Sequence, residues 1–406
     1  MSPQSCLAQS PLVSLPDDVL IHILKQLCLQ TQLNLTRVHI RFLRIMPHVW
    51  RSQCKIINFS SIKLPLRDDD LRFFLASNQQ TFEVVILKYY HVFNMLTDYV
   101  FPNIHDLVLG SHLKNFCVHK AIKNFPNLRS FTPIGGFTGE QFENFIHLES
   151  LTLTFCESFE KRNLLPILEA CKLKTLKLGR FNNMFHQEMD LPFEGIQFLE
   201  VLKCNQWEMK WFMKDLKNLA RLKHIILCGK FDDRFIKDVL TEVAEKSIKS
   251  VEFNDEVTNF MFIMDNLNGR IQSVKVLDNW LLFDGGYGNL KAIKELYLKK
   301  CSTDDVHVLD TLFSLKFCET LVIEHFTSEQ IFEYTLDTCR IARGRRTKLH
   351  VYLYKNKFEE KLTNSWKQIP INWKIMGKHP LVEVHLEQKP NISYSFDPFS
   401  IFFDLT

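Results

Sequence analysis

The sequence predicts an α/β fold in which strand–helix repeats follow a separate group of three N-terminal helices. Two observations carry this prediction. A short pattern (apolar, two variable, apolar, one variable, apolar) recurs eight times in phase, and segments of helical period separate its copies. Residues 14–51 lack the pattern and show only the helical period. We therefore expect a helical module followed by a stack of repeats.

The eight copies of the pattern begin 22 to 26 residues apart. Because side chains alternate between the two faces of a strand, each copy predicts a strand with one face in a core. The copies begin at Leu148, Leu173, Leu199, Leu222, Ile248, Ile271, Ile293 and Cys318. Weaker copies extend the repeat towards both ends, at Phe82, Ile104, Leu128, Val351 and Leu381.

Helical stripes lie between these strands. Asp232 and Asp233 precede an apolar stripe from Phe235 to Ala244, and a second stripe follows Thr327. A single strand and helix cannot cover their own apolar sides, so neighbouring repeats must stack into one continuous core. The 35 phenylalanines of the chain have a place in such a core.

This strand–helix unit resembles the leucine-rich repeat. The resemblance implies a parallel sheet on a concave face, with helices on the convex face. The family usually places Asn or Cys eight positions after the first apolar residue, as at Cys156, Asn279, Cys301 and Asn356. Other copies depart from this, at Phe181, Trp207, Lys230, Glu256 and Phe326, so we expect an irregular solenoid.

Residues 14–51 form the separate helical module. Ser14 is a plausible N-cap, and Pro16 is tolerated at the first helical position. A second helix fits Gln32 to Val38, and a third fits Ile40 to about Trp50. About 40 residues are too few to bury this much apolar surface alone, so the module needs the repeats or another protein against it.

The order of residues in this module resembles an F-box, from the opening Leu-Pro to the closing Trp, with His39 where Ser or Cys is common. By that resemblance the module docks the Skp adaptor. The residues that would carry this contact are Leu15, Pro16, Val19, Leu20, Ile23, Leu24, Leu27, Leu33, Val38, Phe42 and Trp50. The alternative is that the helices only cap the N-terminal end of the repeats.

Composition limits the other functions. The formal charge is +4, so no bulk electrostatic attraction favours nucleic acid or an anionic membrane. No run of 18 apolar residues and no basic leader occurs, and the 11 cysteines form no CxxC pair. We expect a protein of the cytoplasm, the nucleus or both, with no metal, no cofactor and no catalytic residues.

The expected organisation has five parts: a flexible N-terminus (1–13), the F-box (14–54), a linker or first irregular repeat (55–81), the repeats (82–390) and a tail that packs on them (391–406). An F-box joined to leucine-rich repeats resembles the substrate receptors of Skp–cullin–F-box ubiquitin ligases. That resemblance implies the Skp adaptor, the cullin scaffold and a protein substrate as partners. The alternative is a leucine-rich-repeat binding or scaffold protein without ubiquitin transfer.

Large polar and aromatic residues collect on the C-terminal third of the predicted concave face. Tyrosine combines apolar area with a hydroxyl group and loses little side-chain entropy, so binding energy often concentrates on it. Exposed tyrosines also follow from strand propensity alone. We predict that substrate binds at Tyr297, Lys299, Glu324, Tyr352 and Tyr354.

Overall fold

The computed structural model describes most of the first half of the chain and selected strands of the second. The described residues are 11–60, 66–179, 189–229, 232–244, 248–254, 271–277, 293–299, 301, 312, 315–324, 342, 344, 345, 347–354 and 378–387. The chain divides into two compact units, Met1–Leu199 and Glu200–Thr406.

The first unit opens with four helices: α1 (Pro11–Ser14), α2 (Asp17–Leu24), α3 (Leu29–Thr36) and α4 (Ile40–Gln53). The prediction that Ser14 caps a helix is wrong, because Ser14 ends α1 and the extended backbone of Pro16 precedes α2. Two carboxylates in the first turn of α2, Asp17 and Asp18, favour its N-terminus electrostatically. Helix α3 starts three residues before the predicted Gln32.

A buried glutamine joins these helices. The Gln32 side-chain amide donates to the carbonyl oxygens of Leu24 (2.9 Å) and Leu27 (3.1 Å), at the end of α2. Its oxygen accepts from the indole N–H of Trp50, at 2.9 Å. Since an unpaired buried polar group is costly, this network fixes how α2, α3 and α4 pack. The apolar core around it contains Leu20, Leu24, Leu33, Phe42 and Trp50.

Six parallel strands follow in the first unit, each paired with its neighbours in chain order over β1 to β6. They are β1 (Ile56–Asn58), β2 (Val84–Leu87), β3 (Asp106–Leu109), β4 (Ser130–Pro133), β5 (Ser150–Leu153) and β6 (Thr175–Leu178). Helices between or after the strands are α5 (Asp68–Ser77), α6 (Tyr90–Leu96), α7 (Phe116–Asn124), α8 (Leu164–Ala170) and α9 (Phe193–Ile196). Short 3-10 turns cover Phe142–Asn144 and Lys161–Asn163.

The second unit continues the same arrangement. Its parallel strands are β7 (Val201–Cys204), β8 (His224–Cys228), β9 (Ser250–Asn254), β10 (Ser273–Leu277), β11 (Glu295–Lys299), β12 (Thr320–Glu324), β13 (Leu349–Tyr354) and β15 (Val382–Glu387). Strand β14 (Lys378–His379) pairs antiparallel with β15. Helices α10 (Gln206–Leu216) and α11 (Asp233–Ala244) follow β7 and β8.

These strands coincide with the sequence pattern. All eight strong copies and all five weaker copies of the pattern are strands, which confirms the repeat. The predicted acidic start of α11 is also confirmed, since an Asp232 carboxylate oxygen accepts from the backbone N–H groups of Arg234 (2.9 Å) and Phe235 (3.3 Å). With one parallel strand per repeat, both units have a leucine-rich-repeat architecture.

Aromatic side chains form a continuous path through the core of the first unit. Trp50 of α4 contacts Phe74 of α5 edge to face, with ring centroids 4.9 Å apart. Phe74 contacts Phe82 (5.7 Å), which stacks on Phe101 (5.7 Å), and Phe101 contacts Phe125 (6.3 Å). The abundance of phenylalanine is therefore explained in this unit by packing between repeats.

Two of the predicted repeat cysteines have the expected structural role. The thiol of Cys156 lies 3.1 Å from the Phe137 carbonyl oxygen, and that of Cys301 lies 3.4 Å from the Val276 carbonyl oxygen. Both thiols are buried and donate to the preceding repeat. Asn279, Asn356, the helix predicted after Thr327 and the tail 391–406 lie outside the described residues.

Candidate binding surfaces

One side of the N-terminal module packs on the first repeat. Trp50 contacts both Phe73 and Phe74 of α5. Arg37 follows α3 and makes a bidentate contact with the carboxylate of Asp70 in α5, with Nε 3.0 Å from Oδ1. The aromatic contact and the ion pair attach the module to the end of the repeats, so this side of the module works as a cap.

Where α2 and α4 begin, apolar side chains are exposed rather than buried. Arg41 Nε donates to Asp17 Oδ1 at 3.0 Å, which holds the two helix starts together. Apolar side chains within three residues of Asp17 or Arg41 along the chain are exposed: Val38 is 69% exposed, Ile40 57% and Val19 44%. Because the Arg41–Asp17 contact joins these two stretches of chain, we infer that the three side chains form one exposed apolar cluster, as is typical of a protein–protein interface.

The structure separates the predicted adaptor-contact residues into two groups. Those buried within the module are Leu20, Leu24, Leu33, Phe42 and Trp50, and their packing leaves them no direct contact with a partner. Those that reach the surface, wholly or in part, are Leu15, Pro16, Val19, Ile23, Leu27 and Val38. Ile40 is not among the predicted contact residues, but it is exposed like those of the second group. In the sequence analysis Ile40 appears only as the start of a helix. Its position two residues after Val38 could have indicated that it belongs to the same surface.

The predicted concave face corresponds to one face of the sheet, here called the open face, whose side chains alternate with those of the core. In β2 to β5 the middle residue of this face is buried: Ile86, Val108, Thr132 and Thr152. In the second unit most of the matching residues are partly exposed: Lys203, Ile226, Glu252, Lys275, Tyr297 and Tyr352. Among the described strands, the accessible open face therefore belongs mainly to the second unit.

The register brings the five predicted substrate-binding residues onto three neighbouring strands, β11 to β13. Tyr297 and Tyr352 are the register neighbours of Val322 on its two sides, so their Cα atoms are about 10 Å apart. Lys299 is paired in register with Glu324, and Glu324 with Tyr354. We call this set, Tyr297, Lys299, Glu324, Tyr352 and Tyr354, the tyrosine patch.

Several groups of the tyrosine patch already have partners. Lys299 Nζ lies 3.8 Å from Glu324 Oε2, and the Glu324 side chain is only 12% exposed. The ammonium of Lys275 lies 5.3 Å from the centre of the Tyr297 ring, a cation–π contact. The ring of His350 stacks on Tyr352 at 6.4 Å. Sequence reasoning missed Lys275 because only the strand register shows that it neighbours Tyr297.

Buried thiols do not supply a nucleophile. Burial raises the pKa of Cys156 and of Cys318 to about 12, and that of Cys171 to about 11. Since the thiolate is the reactive form, these three cysteines stay protonated and inert at neutral pH. Within the described residues, no group of three or more His, Cys, Asp or Glu side chains could hold a metal ion. Nor does any described helix have the length and apolar character needed to cross a membrane.

Comparison with known proteins adds little to this description. No protein-family model and no curated protein matches the sequence. Among solved structures, the chain is similar to an internalin from Listeria monocytogenes strain 4b F2365, with 14% sequence identity and a TM-score of 0.32. The match covers 64% of this chain and 77% of that one. The leucine-rich-repeat architecture rests on the strand register and the sequence pattern.

Proposed function

We propose that this chain is the substrate-recognition subunit of a Skp–cullin–F-box ubiquitin ligase, acting in the cytoplasm, the nucleus or both. In this proposal the N-terminal helices dock the Skp adaptor, which connects them to the cullin scaffold. The open face of the second unit binds the protein to be ubiquitinated. The F-box resemblance identifies the adaptor, and the observation that carries the proposal is the exposed cluster of Val19, Val38 and Ile40.

That cluster is informative because the module does not need it for its own stability. Its interior is filled by the apolar core and the Gln32 network, and its inner side is covered by α5. Val38 and Ile40 could be polar without loss of this packing. Apolar residues at these positions support a partner that covers them.

The chain would contribute positioning rather than bond chemistry. Holding a substrate next to a ubiquitin-charged enzyme turns an encounter between molecules into an intramolecular reaction at high effective concentration. Such a role needs two binding surfaces on one folded chain. The exposed apolar cluster and the tyrosine patch are suited to these tasks.

A second function is favoured by a different observation. The contacts Trp50–Phe74 and Arg37–Asp70 support a module that caps the repeats, and a cap is sufficient to explain its helices. On this alternative the chain is a leucine-rich-repeat binding or scaffold protein without ubiquitin transfer. The two functions differ in whether the exposed side of the module binds an adaptor.

A matched pair of substitutions tests the adaptor. We expect Val38→Asp to abolish co-purification of the Skp adaptor and the cullin, because a carboxylate at the centre of an apolar interface must be desolvated. Ile146→Asp is the control: Ile146 is 70% exposed, as Val38 is, but lies far along the chain from the module. The double substitution Leu15→Ala with Pro16→Ala should also remove adaptor binding while the repeats stay folded.

Adaptor recovery would be measured by quantitative mass spectrometry after affinity purification from cells, with circular dichroism as the check on folding. If Val38→Asp recovers as much adaptor as the wild type and as Ile146→Asp, the chain is not an F-box subunit. The scaffold alternative would then remain.

Substrate binding is tested at the tyrosine patch. We expect the fourfold replacement of Tyr297, Lys299, Tyr352 and Tyr354 by Ala to remove substrate co-purification, because the three anchoring tyrosines on β11 and β13 are lost. Adaptor recovery should not change. Comparison with and without proteasome and cullin-activation inhibitors identifies the substrates. Should substrate recovery instead follow substitutions on β2 to β4, the patch is misplaced.

A further inference from the structure

Lysines gather on the open face of the second unit and at the amino ends of its strands, beside the tyrosine patch. Lys249 and Lys294 stand at the amino ends of β9 and β11, and Lys275 lies in the middle of β10. Lys223 enters β8, and Lys203 lies on β7. These five residues, Lys203, Lys223, Lys249, Lys275 and Lys294, are here called the lysine cluster. The acidic residues on the same strands and their entries are Glu200, Glu252 and Glu295, so positive charge prevails.

The excess of positive charge affects the pKa of the neighbouring His224. Its pKa is lowered, first by partial burial and then by the charges of Lys275, Lys223 and Lys249, while Glu200 acts in the opposite direction. Three cations are thus close enough to disfavour a fourth. The same three charges would attract an anion placed among them.

Within the described residues, three lysines of the cluster differ from the lysines that precede other strands, because they make no ion pair with a neighbouring glutamate. At the amino ends of the strands before β9 a lysine pairs with a glutamate of the neighbouring strand, as in Lys55–Glu83 (2.7 Å), Lys174–Glu149 (3.0 Å) and, within the cluster itself, Lys223–Glu200 (2.6 Å). In the described part of the chain, Lys249, Lys275 and Lys294 make no such ion pair. Gln272 stands between Lys249 and Lys294 in the row of residues that enter β9, β10 and β11, where a glutamate would complete the series.

Two serines with short side chains lie on the strands that carry these lysines. Ser250 of β9 and Ser273 of β10 are register neighbours on the open face, and Ser250 is only 8% exposed. Next to them in register stand the longer His224 on β8 and Glu295 on β11. The two serine side chains are shorter than the imidazole and the carboxylate beside them, and hydroxyl groups donate well to carboxylates.

We propose that the lysine cluster binds an acidic segment of the protein that the repeats recognise, with its carboxylates at Lys249, Lys275 and Lys294. Charge complementarity favours such an occupant, and the dimensions fit. Two steps between strands, from β9 to β11, cover about 10 Å, which about three residues of extended peptide span. Lys275 also contacts Tyr297, so the segment would continue directly onto the tyrosine patch. The inference rests on the proposed function only in that the open face binds a protein.

Fluorescence anisotropy with the full-length chain tests this binding. The probe is a labelled peptide in which Glu alternates with Ser, and its control has Gln in place of Glu. We expect the acidic peptide to bind more tightly and to weaken as salt is raised. Lys249→Gln with Lys275→Gln should weaken it on the order of 10-fold, from the loss of two charge contacts. The matched control, Lys217→Gln with Lys237→Gln, removes two exposed lysines of the same unit near or within its helices and should change nothing.

Three outcomes would overturn the assignment: equal binding of the Glu and Gln peptides, equal losses in the two double variants, or binding only of a phosphoserine version of the peptide. The last would mean that the cluster recognises phosphate rather than carboxylate. Adaptor recovery is measured on the same variants. Its loss in Val38→Asp, with peptide binding retained, separates the two binding surfaces.

Discussion

Glu208 is the buried carboxyl group with the clearest consequence for stability. It sits in the first turn of α10 and is 1% exposed. Its side chain completes a capping box, in which Asn205 accepts from the backbone N–H of Glu208 and Glu208 Oε2 accepts from the backbone N–H of Asn205 at 3.3 Å. Burial raises the pKa of Glu208 from 4.5 to about 7, against these hydrogen bonds.

This pKa predicts how stability depends on pH. Between about pH 4.5 and 7 the folded chain keeps a proton at Glu208 that the unfolded chain has released, so stability falls as pH rises through this window. The full effect is about 3 kcal/mol. Glu208→Gln keeps an acceptor for the capping box and removes the ionisation. We expect the variant to melt near the wild type at pH 5 and above it at pH 8.

Melting temperatures across this pH range check the prediction, with Glu194→Gln, an exposed change in the first turn of α9, as the control. Parallel pH profiles for wild type and Glu208→Gln would contradict it.

Among the elements, β5 and β6 approach each other unusually closely at Gly179, which follows β6. A Cβ atom built there would lie 2.1 Å from the Thr154 carbonyl oxygen and 2.5 Å from its Cα. Because both are backbone atoms, the clash cannot be relieved by moving a side chain. We expect Gly179→Ala to destabilise the first unit by roughly 1–3 kcal/mol or more.

Gly136→Ala is the matched control, since nothing lies within 4 Å of a Cβ there. Urea unfolding of both variants would show the difference. Similar midpoints would mean that the neighbouring strands can separate at no cost.

The elements also show what sequence can and cannot predict. The repeat pattern located thirteen strands because each carries apolar residues at alternating positions that face the core. It missed β1, since only Ile57 of Ile56–Asn58 is buried and no triplet occurs there, and the two-residue β14 (Lys378–His379), which is too short to carry the pattern. The face of each strand followed from alternation, which gave the tyrosine patch. The contacts of that patch did not follow, because Lys275 over Tyr297 and Lys299 beside Glu324 depend on pairing between distant segments.

At the scale of the whole molecule, the exposed apolar cluster should make stability depend on a partner. We expect the chain alone to be poorly soluble and co-expression with the Skp adaptor to raise its yield and melting temperature. A partner that binds only the folded state, at 100 times its Kd, adds about 2.7 kcal/mol of stability. Val38→Asp should remove this gain. Equal melting temperatures with and without the adaptor would argue against the F-box assignment.

Linear repeat arrays normally fray from their ends, since each repeat contacts only its neighbours. The aromatic path from Trp50 through Phe74, Phe82 and Phe101 to Phe125 changes this for the first unit. Opening α4 would uncover rings that the next repeats need, so the helices and early repeats should exchange their amide hydrogens as one cooperative block. A force or a partner that opens the module would therefore also destabilise repeats several positions along the chain.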